Sequence, residues 1–323
     1  MVTGGAGYIG SHACKALKKK GYVPVALDNL STGWRDAVKF GPLEVADLLD
    51  HRAIMKIFKK YRPTAVMHFG GLSQVGESVC EPEKYWRNNF VGSLNLIQAT
   101  IANNCNNFVF SSTCATYGQH DQTNLTENTS QKPTNPYGAS KRAVEEALAH
   151  FSNVSSLNFA IFRYFNVAGA DPESQIGECH HPETHLIPLV LDVISGERKA
   201  ITIYGTDYNT PDGTCIRDYV HVSDLVDAHI LGLNRLENSK DNCIYNLGTG
   251  HGFSVRDIIQ SVNIITNQNV NVIEGPRRAG DVARLVSGSE LAMKELGWKP
   301  SRSILNQMIT DAWRWKEQGA YNS

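Results

Sequence analysis

Short apolar runs rich in β-branched and aromatic residues recur through the first half of the chain, at 22–27, 65–69, 108–110 and 159–162. Around and between them lie longer segments, 9–20, 51–61, 86–103 and 137–151, whose apolar positions return every three or four residues. Strands and helices in strict turn predict a parallel sheet with helices on both faces, the α/β doubly wound class. Beyond residue 167 the pattern breaks. The stretch 168–188 is rich in Gly, Pro and His, and marks the start of a second, smaller α/β unit. Residues 218–250 again read as strand, helix (223–236) and strand (244–247), which suggests a return to the first sheet. A last helix is expected near 304–317, after the Trp298 to Pro300 break. The resulting division is 1–168 and 169–323, with 218–250 as the return segment.

Composition fits this picture and removes several functions. A length of 323 residues with 41% hydrophobic residues provides for a real core. The net charge of −1 gives no field to attract nucleic acid or an anionic membrane surface. The most apolar run, 186–194, is short and interrupted by Asp192, and no basic segment leads into an apolar one at the start. Seven cysteines, with no CxxC pair, fit reduced thiols of a cytoplasmic protein better than a disulfide frame.

The candidate chemistry begins at Gly4, Gly7 and Gly10, a GxxGxxG run between a strand end and a helix start. Glycine allows a tight turn and close approach of the backbone to a pyrophosphate, whose charge then sits at the positive end of the helix. Only three residues precede the run, so either residues before Met1 are missing or the sheet tolerates a three-residue first strand. Asp28, 18 residues beyond Gly10 at the end of the next strand, is suited to accept from an adenosine ribose. A carboxylate there repels a 2′-phosphate and favours NAD over NADP. Tyr137 and Lys141 share one face of a helix opened by Asn135 and Pro136, downstream of the hydroxyls Ser111, Ser112 and Thr113. A nearby cation favours a phenolate, so Tyr137 is a candidate general base. Cys179, His180, His181, Glu183 and His185 crowd one loop, but their spacing fits no common zinc frame, and no metal is expected there. Arg217 and Arg278 follow turn-like segments and suit phosphate, unless they are solvated surface arginines.

With these residues assembled, the chain resembles the extended short-chain dehydrogenase/reductases, and within them the UDP-galactose 4-epimerase family. The resemblance rests on TGGAGYIGSH, HFGGLSQVGES, FSST, NPYGASK, RYFNVAGA, YNLGTG and GPRRAGD, and above all on YGTDYNTPDGTCIRDYVHV at 204–222. It implies an NAD site at Gly4, Gly7, Tyr8, Ile9, Gly10, Asp28, Asn29, Asp47, Leu48, Phe69, Gly70, Gly71, Asn88, Ser111, Tyr137, Lys141 and Tyr164. It further implies UDP-sugar contacts at Thr113, Tyr137, Asn166, His185, Leu186, Tyr204, Arg217, Arg278, Asp281 and Leu285. Tyr137, Lys141 and Thr113 would be catalytic. C4 would be epimerised through a transient 4-keto sugar, and a homodimer is implied as well.

The chain departs from the family's pattern at a few positions. Thr113 stands for a usual serine, Ala115 for a threonine, Ser73 for a lysine, and Thr184 with His185 for an asparagine pair. Loss of the lysine bears on how tightly NAD is retained. Leu285 stands where a large aromatic excludes an N-acetyl group and a small residue admits it, so UDP-glucose and UDP-galactose are expected as the preferred pair, with some turnover of UDP-N-acetylglucosamine. Leu285 could instead belong to the core beside Val286. A 4,6-dehydratase would need an acid and a base after Thr113, where Cys114 and Ala115 stand. A non-catalytic dinucleotide sensor would not need Tyr137 and Lys141.

Overall fold

A computed structural model of the chain describes residues 1–120, 124–278, 281–319 and 321. Seven strands form the central sheet: β1 (Val2–Thr3), β2 (Ala26–Asp28), β3 (Leu43–Val45), β4 (Ala65–His68), β5 (Asn107–Thr113), β6 (Asn158–Tyr164) and, out of sequence, β10 (Cys243–Leu247). Their order is β10-β6-β5-β4-β1-β2-β3, and every pair is parallel. The strands read as continuous apolar runs because both faces are covered. Along β5, Phe108 and Phe110 join the core under helices 51–61, 92–102 and 136–154, while Val109 joins the opposite core under helices 8–19 and 222–238.

β1 is flanked by β2 on one side and β4 on the other, so strand order reverses there. The crevice outside the carboxyl ends of such strands is where an open α/β sheet takes a ligand. The expected return to the sheet is present, since β10 pairs with β6 after helix Val222–Asn238.

A second assembly holds β7 (Asn166–Ala168), β8 (Ile201–Tyr204), β9 (Ile216–His221), β11 (Gly252–Ser254), β12 (Val272–Gly275) and β13 (Arg284–Leu285). β9 is antiparallel to β11 and parallel to β7 and β13, while β8 pairs with β12. Helices Leu186–Ile194, Val255–Thr266 and Leu305–Glu317 pack there around Ile187, Val190, Ile258 and Met308. The apolar run at 186–194 is therefore a core helix. Among the described residues no helix is long and apolar enough to cross a membrane.

Three local expectations are corrected. The strand expected at 22–27 pairs only from Ala26, because Pro24 carries no N–H for a ladder. β3 escaped notice because it is three residues long with Glu44 at its centre and none of the alternation that marks a strand. The helix expected over 86–103 is π-helical through Trp86–Val91 and α-helical only from Gly92 to Ala102. π-Turns concentrate at functional sites, and this one carries the buried Asn89 toward the loop after β4.

Candidate active site

Gly4 takes φ +67, and a Cβ there would lie 2.6 Å from the Gly70 nitrogen. A Cβ on Gly10 would lie 2.0 Å from the Gly4 oxygen, so the loop closes over itself and over the end of β4 only without side chains. Gly7 is the N-cap of helix Tyr8–Lys19, with no side-chain cap and no acidic residue in the first turn. The first N–H groups are left to an anion. Tyr8 donates its hydroxyl to Gly169 O at 2.5 Å, and Ile9 packs against the core.

Asp28 is buried at the end of β2 and accepts from the backbone N–H of Ala6 at 3.0 Å and of Leu30 at 2.8 Å. Burial raises its pKa. Two of its roughly four lone-pair sites remain for a ribose. Asn29 donates to Asp47 at 2.8 Å, Asp47 accepts from Leu49 N, and Asn95 holds the Leu48 carbonyl. This forms a wall beside Asp28.

Phe69, Gly70 and Gly71 continue from β4. Asn89, which sequence reasoning passed over in favour of Asn88, accepts from Leu72 N at 2.8 Å and donates to Leu72 O at 2.9 Å. Asn88 donates to Asn89. A Cβ on Gly71 would stand 3.3 Å from Lys141 Nζ. The glycine-lined cradle, the free helix terminus and Asp28 suit a dinucleotide, so NAD fits the residues present.

Helix Pro136–Val154 begins at Asn135, whose side chain accepts from Gly138 N at 2.8 Å, and Pro136 at the first position fixes the entry. The helix brings Tyr137 to the end of β5, where it hydrogen-bonds Thr113, and Lys141 one turn deeper. Lys141 donates to Ser111 O at 3.1 Å, and its Nζ lies 5.0 Å from the centre of the Phe110 ring. Ser111 Oγ meets Tyr164 OH at the end of β6.

The expectation that Lys141 lowers the phenol is not met by the protein's own groups. Burial pushes Tyr137 up to about 12, the Thr113 hydrogen bond opposes it, and Cys114 raises it further; Lys141 is absent from these causes. Burial instead brings Lys141 down to about 8, with the Glu145 charge opposing. Glu145 is itself clamped. Arg163 on β6 donates to it at 2.6 Å, Ser112 donates to it as well, and both charged side chains are 5% exposed.

The second assembly supplies the opposite wall. Arg217 is the second residue of β9 and follows the turns of residues 208–214, as the sequence suggested; it donates to Val282 O at 2.8 Å and pairs with Asp281 at 3.5 Å. Arg278 donates to the same carboxylate at 3.2 Å and stacks 4.7 Å over the Tyr204 ring. Neither arginine is a bare surface charge. Residues 279 and 280 of the GPRRAGD motif lie outside the described residues.

Leu285 pairs in register with Arg217 and packs beside Tyr117, Leu125, Phe165 and Cys114. The Arg217 charge acts on Cys114, and Cys114 on Tyr137, which ties this wall to the catalytic end of β5. Asn166 opens β7, and His185 stands just before the helix that starts at Leu186, its ring turned to Glu178. Of the long 204–222 motif, Asp212, Asp218 and His221 are internal staples: buried Asp218 alone accepts from Thr249, Gly250 and Ser287 backbone N–H groups. Ser73 is exposed.

The Cys179–His185 loop folds onto the ribose loop. Trp34 donates its indole N–H to Cys179 O at 2.8 Å and lies edge-on to His181 at 5.6 Å. Glu178, just before this loop, and His180, Glu183 and His185 within it each present a ligand-type atom, all within 4.8 Å of one another. Counting spacing along the chain overlooked this grouping, because Glu178 was not among the residues considered.

Comparison with known proteins agrees with this geometry. Residues 1–248 match the model of the NAD dependent epimerase/dehydratase family. A UDP-glucose 4-epimerase of Rhizobium leguminosarum bv. trifolii is 45% identical over 315 residues, 98% of this chain and 96% of that protein. A solved UDP-glucose 4-epimerase structure superposes with a TM-score of 0.97 at 48% identity, covering 100% of this chain and 99% of that one. The Brucella ovis UDP-glucose 4-epimerase, solved in complex with NAD, gives 0.95 at 44% identity, with 97% and 96% covered. With a Rossmann-type parallel sheet, a glycine cradle suited to NAD and curated relatives at 45% identity over nearly the whole chain, the chain belongs to the UDP-glucose 4-epimerase branch of the NAD dependent epimerase/dehydratase family.

Proposed function

We propose that the chain interconverts UDP-glucose and UDP-galactose by inverting C4. The observation that carries this reading is the convergence of Thr113, Tyr137 and Lys141 on a glycine-lined cradle, with Arg217 acting on the same end of β5 through Cys114 and sharing Asp281 with Arg278. Gly4, Gly7, Tyr8, Ile9 and Gly10 hold the cofactor's phosphates, Asp28 and Asn29 a ribose, Asp47 and Leu48 the base, and Phe69, Gly70, Gly71, Asn88, Ser111 and Tyr164 its middle and far end. NAD held there would supply reversible hydride-acceptor chemistry at C4, so no net oxidation would result.

Tyr137 Oη takes and returns the proton of the sugar 4-hydroxyl, with Thr113 Oγ1 as its hydrogen-bonded partner. Lys141 keeps a positive charge close to this exchange, since nothing larger than Gly71 stands between it and the cradle. Arg217 and Arg278 grip the pyrophosphate with Asn166. Asp281, with lone pairs to spare after both arginines, holds the uridine ribose. Tyr204 sits near the uracil, while His185 and Leu186 close the nucleotide end. Leu285 borders the sugar.

Residues 1–168 with the return segment form the NAD-binding unit and 169–323 the nucleotide-sugar unit, a division supported by β10 pairing with β6. A cytoplasmic setting is supported by the free state of all seven cysteines, and a homodimer by the exposure of Val75, Val79, Trp86 and Val91 on neighbouring helical turns. Purified protein incubated with UDP-galactose or UDP-N-acetylgalactosamine, with products separated, tests the reading. UDP-glucose should accumulate from the first; no product from either substrate refutes it.

A further inference from the structure

We propose that Glu178, His180, Glu183 and His185 form a binding site for Zn2+ or a similar divalent ion, placed so that an ion held there withdraws His185 from the UDP-sugar. Two imidazoles and two carboxylates are a ligand set that suits zinc. The four ligand atoms already lie within 4.8 Å of one another. A tetrahedral ion with bonds of about 2.0–2.2 Å holds its ligands about 3.4 Å apart, so the widest pair needs to close by little more than an ångström.

The ligands are also supported from behind. Glu178 is 6% exposed at its side chain, and its Oε1 meets His180 Nδ1 at 3.1 Å and His185 Nδ1 more closely. The carbonyl of Glu178 accepts from the Trp315 indole at 3.0 Å, and that of the next residue from Trp34. Glu183 Oε1 accepts from the backbone N–H of Thr184 at 2.7 Å and of His185 at 2.8 Å, which fixes its carboxylate. Such outer contacts orient metal ligands. His185 is 50% exposed at its side chain, which leaves an approach from solvent.

Binding replaces the protons shared between Glu178 and the two imidazoles. Each imidazole donates a lone pair from Nδ1, up to two protons leave to solvent, and no electron is transferred. Cys179, although between two ligands, is outside the group.

The effect on turnover rests on the reading of His185 as a substrate contact; the binding does not. Equilibrium dialysis of the full chain against Zn2+ should give one equivalent, and Co2+ in its place a tetrahedral visible absorbance. His180→Ala and the conservative Glu183→Gln should weaken zinc at least tenfold, and Cys179→Ser should leave it unchanged. Zinc should inhibit turnover competitively with UDP-galactose, and His180→Ala should escape that inhibition. Absence of stoichiometric binding, or equal binding by His180→Ala and the parent, overturns the site. Stoichiometric binding without competition from UDP overturns its placement on the substrate path.

Discussion

At the carboxyl end of β5, Lys141, Glu145 and Arg163 are buried in regular elements and satisfied by one another or by backbone. Across the cleft, Tyr204 and Arg278 are exposed at the ends of short strands and loops, joined by a ring contact and a shared carboxylate. The wall proposed for proton transfer is thus buried and fully paired, and the wall proposed for the nucleotide is exposed and loosely joined. Under the proposed reaction, that division would suit a sugar that must present both faces in turn while its nucleotide stays held.

The largest break in this contrast should come from Glu145→Ala, which leaves Arg163 charged, buried and unpaired. A loss of about 3–5 kcal/mol in urea unfolding is expected; a loss below about 1 kcal/mol would show that the pair does not secure the catalytic helix. Acid should then separate the two walls. Burial holds His12 and His229 at about 4, below the 6.5 of an unfolded chain. The unfolded state therefore binds more protons between these values, and stability falls as pH drops from 6.5 to 4, by up to about 3 kcal/mol per histidine. His180 has the opposite sign: beside Glu178 and Glu183 it is raised to about 10, despite burial, so its contribution is full below 6.5 and fades as pH rises through about 10. Urea midpoints that stay flat from about pH 7 to about pH 4.5 would show that the buried pair is not kept neutral.

Tyr137→Phe removes a proton carrier and keeps the ring. Its kcat should fall at least ~100-fold, about 2.7 kcal/mol, with UDP affinity nearly unchanged; a variant within threefold of the parent ends the general-base assignment. The smallest effect is on the far wall. Leu285→Tyr should suppress turnover of N-acetylated sugar at least ~10-fold and spare UDP-galactose, because a few carbons of steric difference are worth about 1–3 kcal/mol. Equal loss of both activities would place Leu285 in the packing of Tyr117 and Phe165 and not at the gate.

The sequence made one wall far more legible than the other, for a physical reason. Gly4, Gly10, Asp28, Tyr137 and Lys141 sit at strand ends or on one helix face, where the periodicity of regular structure fixes which residues converge. Glu145 and Arg163 were passed over because their pairing spans two elements, and nothing local marks either as buried. Asn89 was missed because a π-helical stretch turns it, with Asn88 beside it, toward the loop after β4. Arg217 and Arg278 were visible as candidates; Arg278 holds Asp281 locally, three residues on, but the Arg217 hold on the same carboxylate comes from the segment leading into β13 lying beside β9, a long-range register that spacing does not encode. Burial raises the Tyr137 phenol, and no cation of the protein is among the causes acting on it; the expected lowering counted an NAD pyridinium beside Lys141.

The contact of Trp34 with Cys179 has an optical consequence. This indole follows Gly33, where an added Cβ would sit 3.0 Å from Asp28 Oδ1, and its own N–H is engaged by the loop that carries His185. One chromophore thus spans the turn proposed to hold a ribose and the loop proposed to close over the nucleotide. Its emission depends on the polarity and hydrogen bonding around the ring, so occupation of either side is written into a single fluorescence signal, separable from that of Trp86, Trp298, Trp313 and Trp315 by replacing Trp34 with Phe.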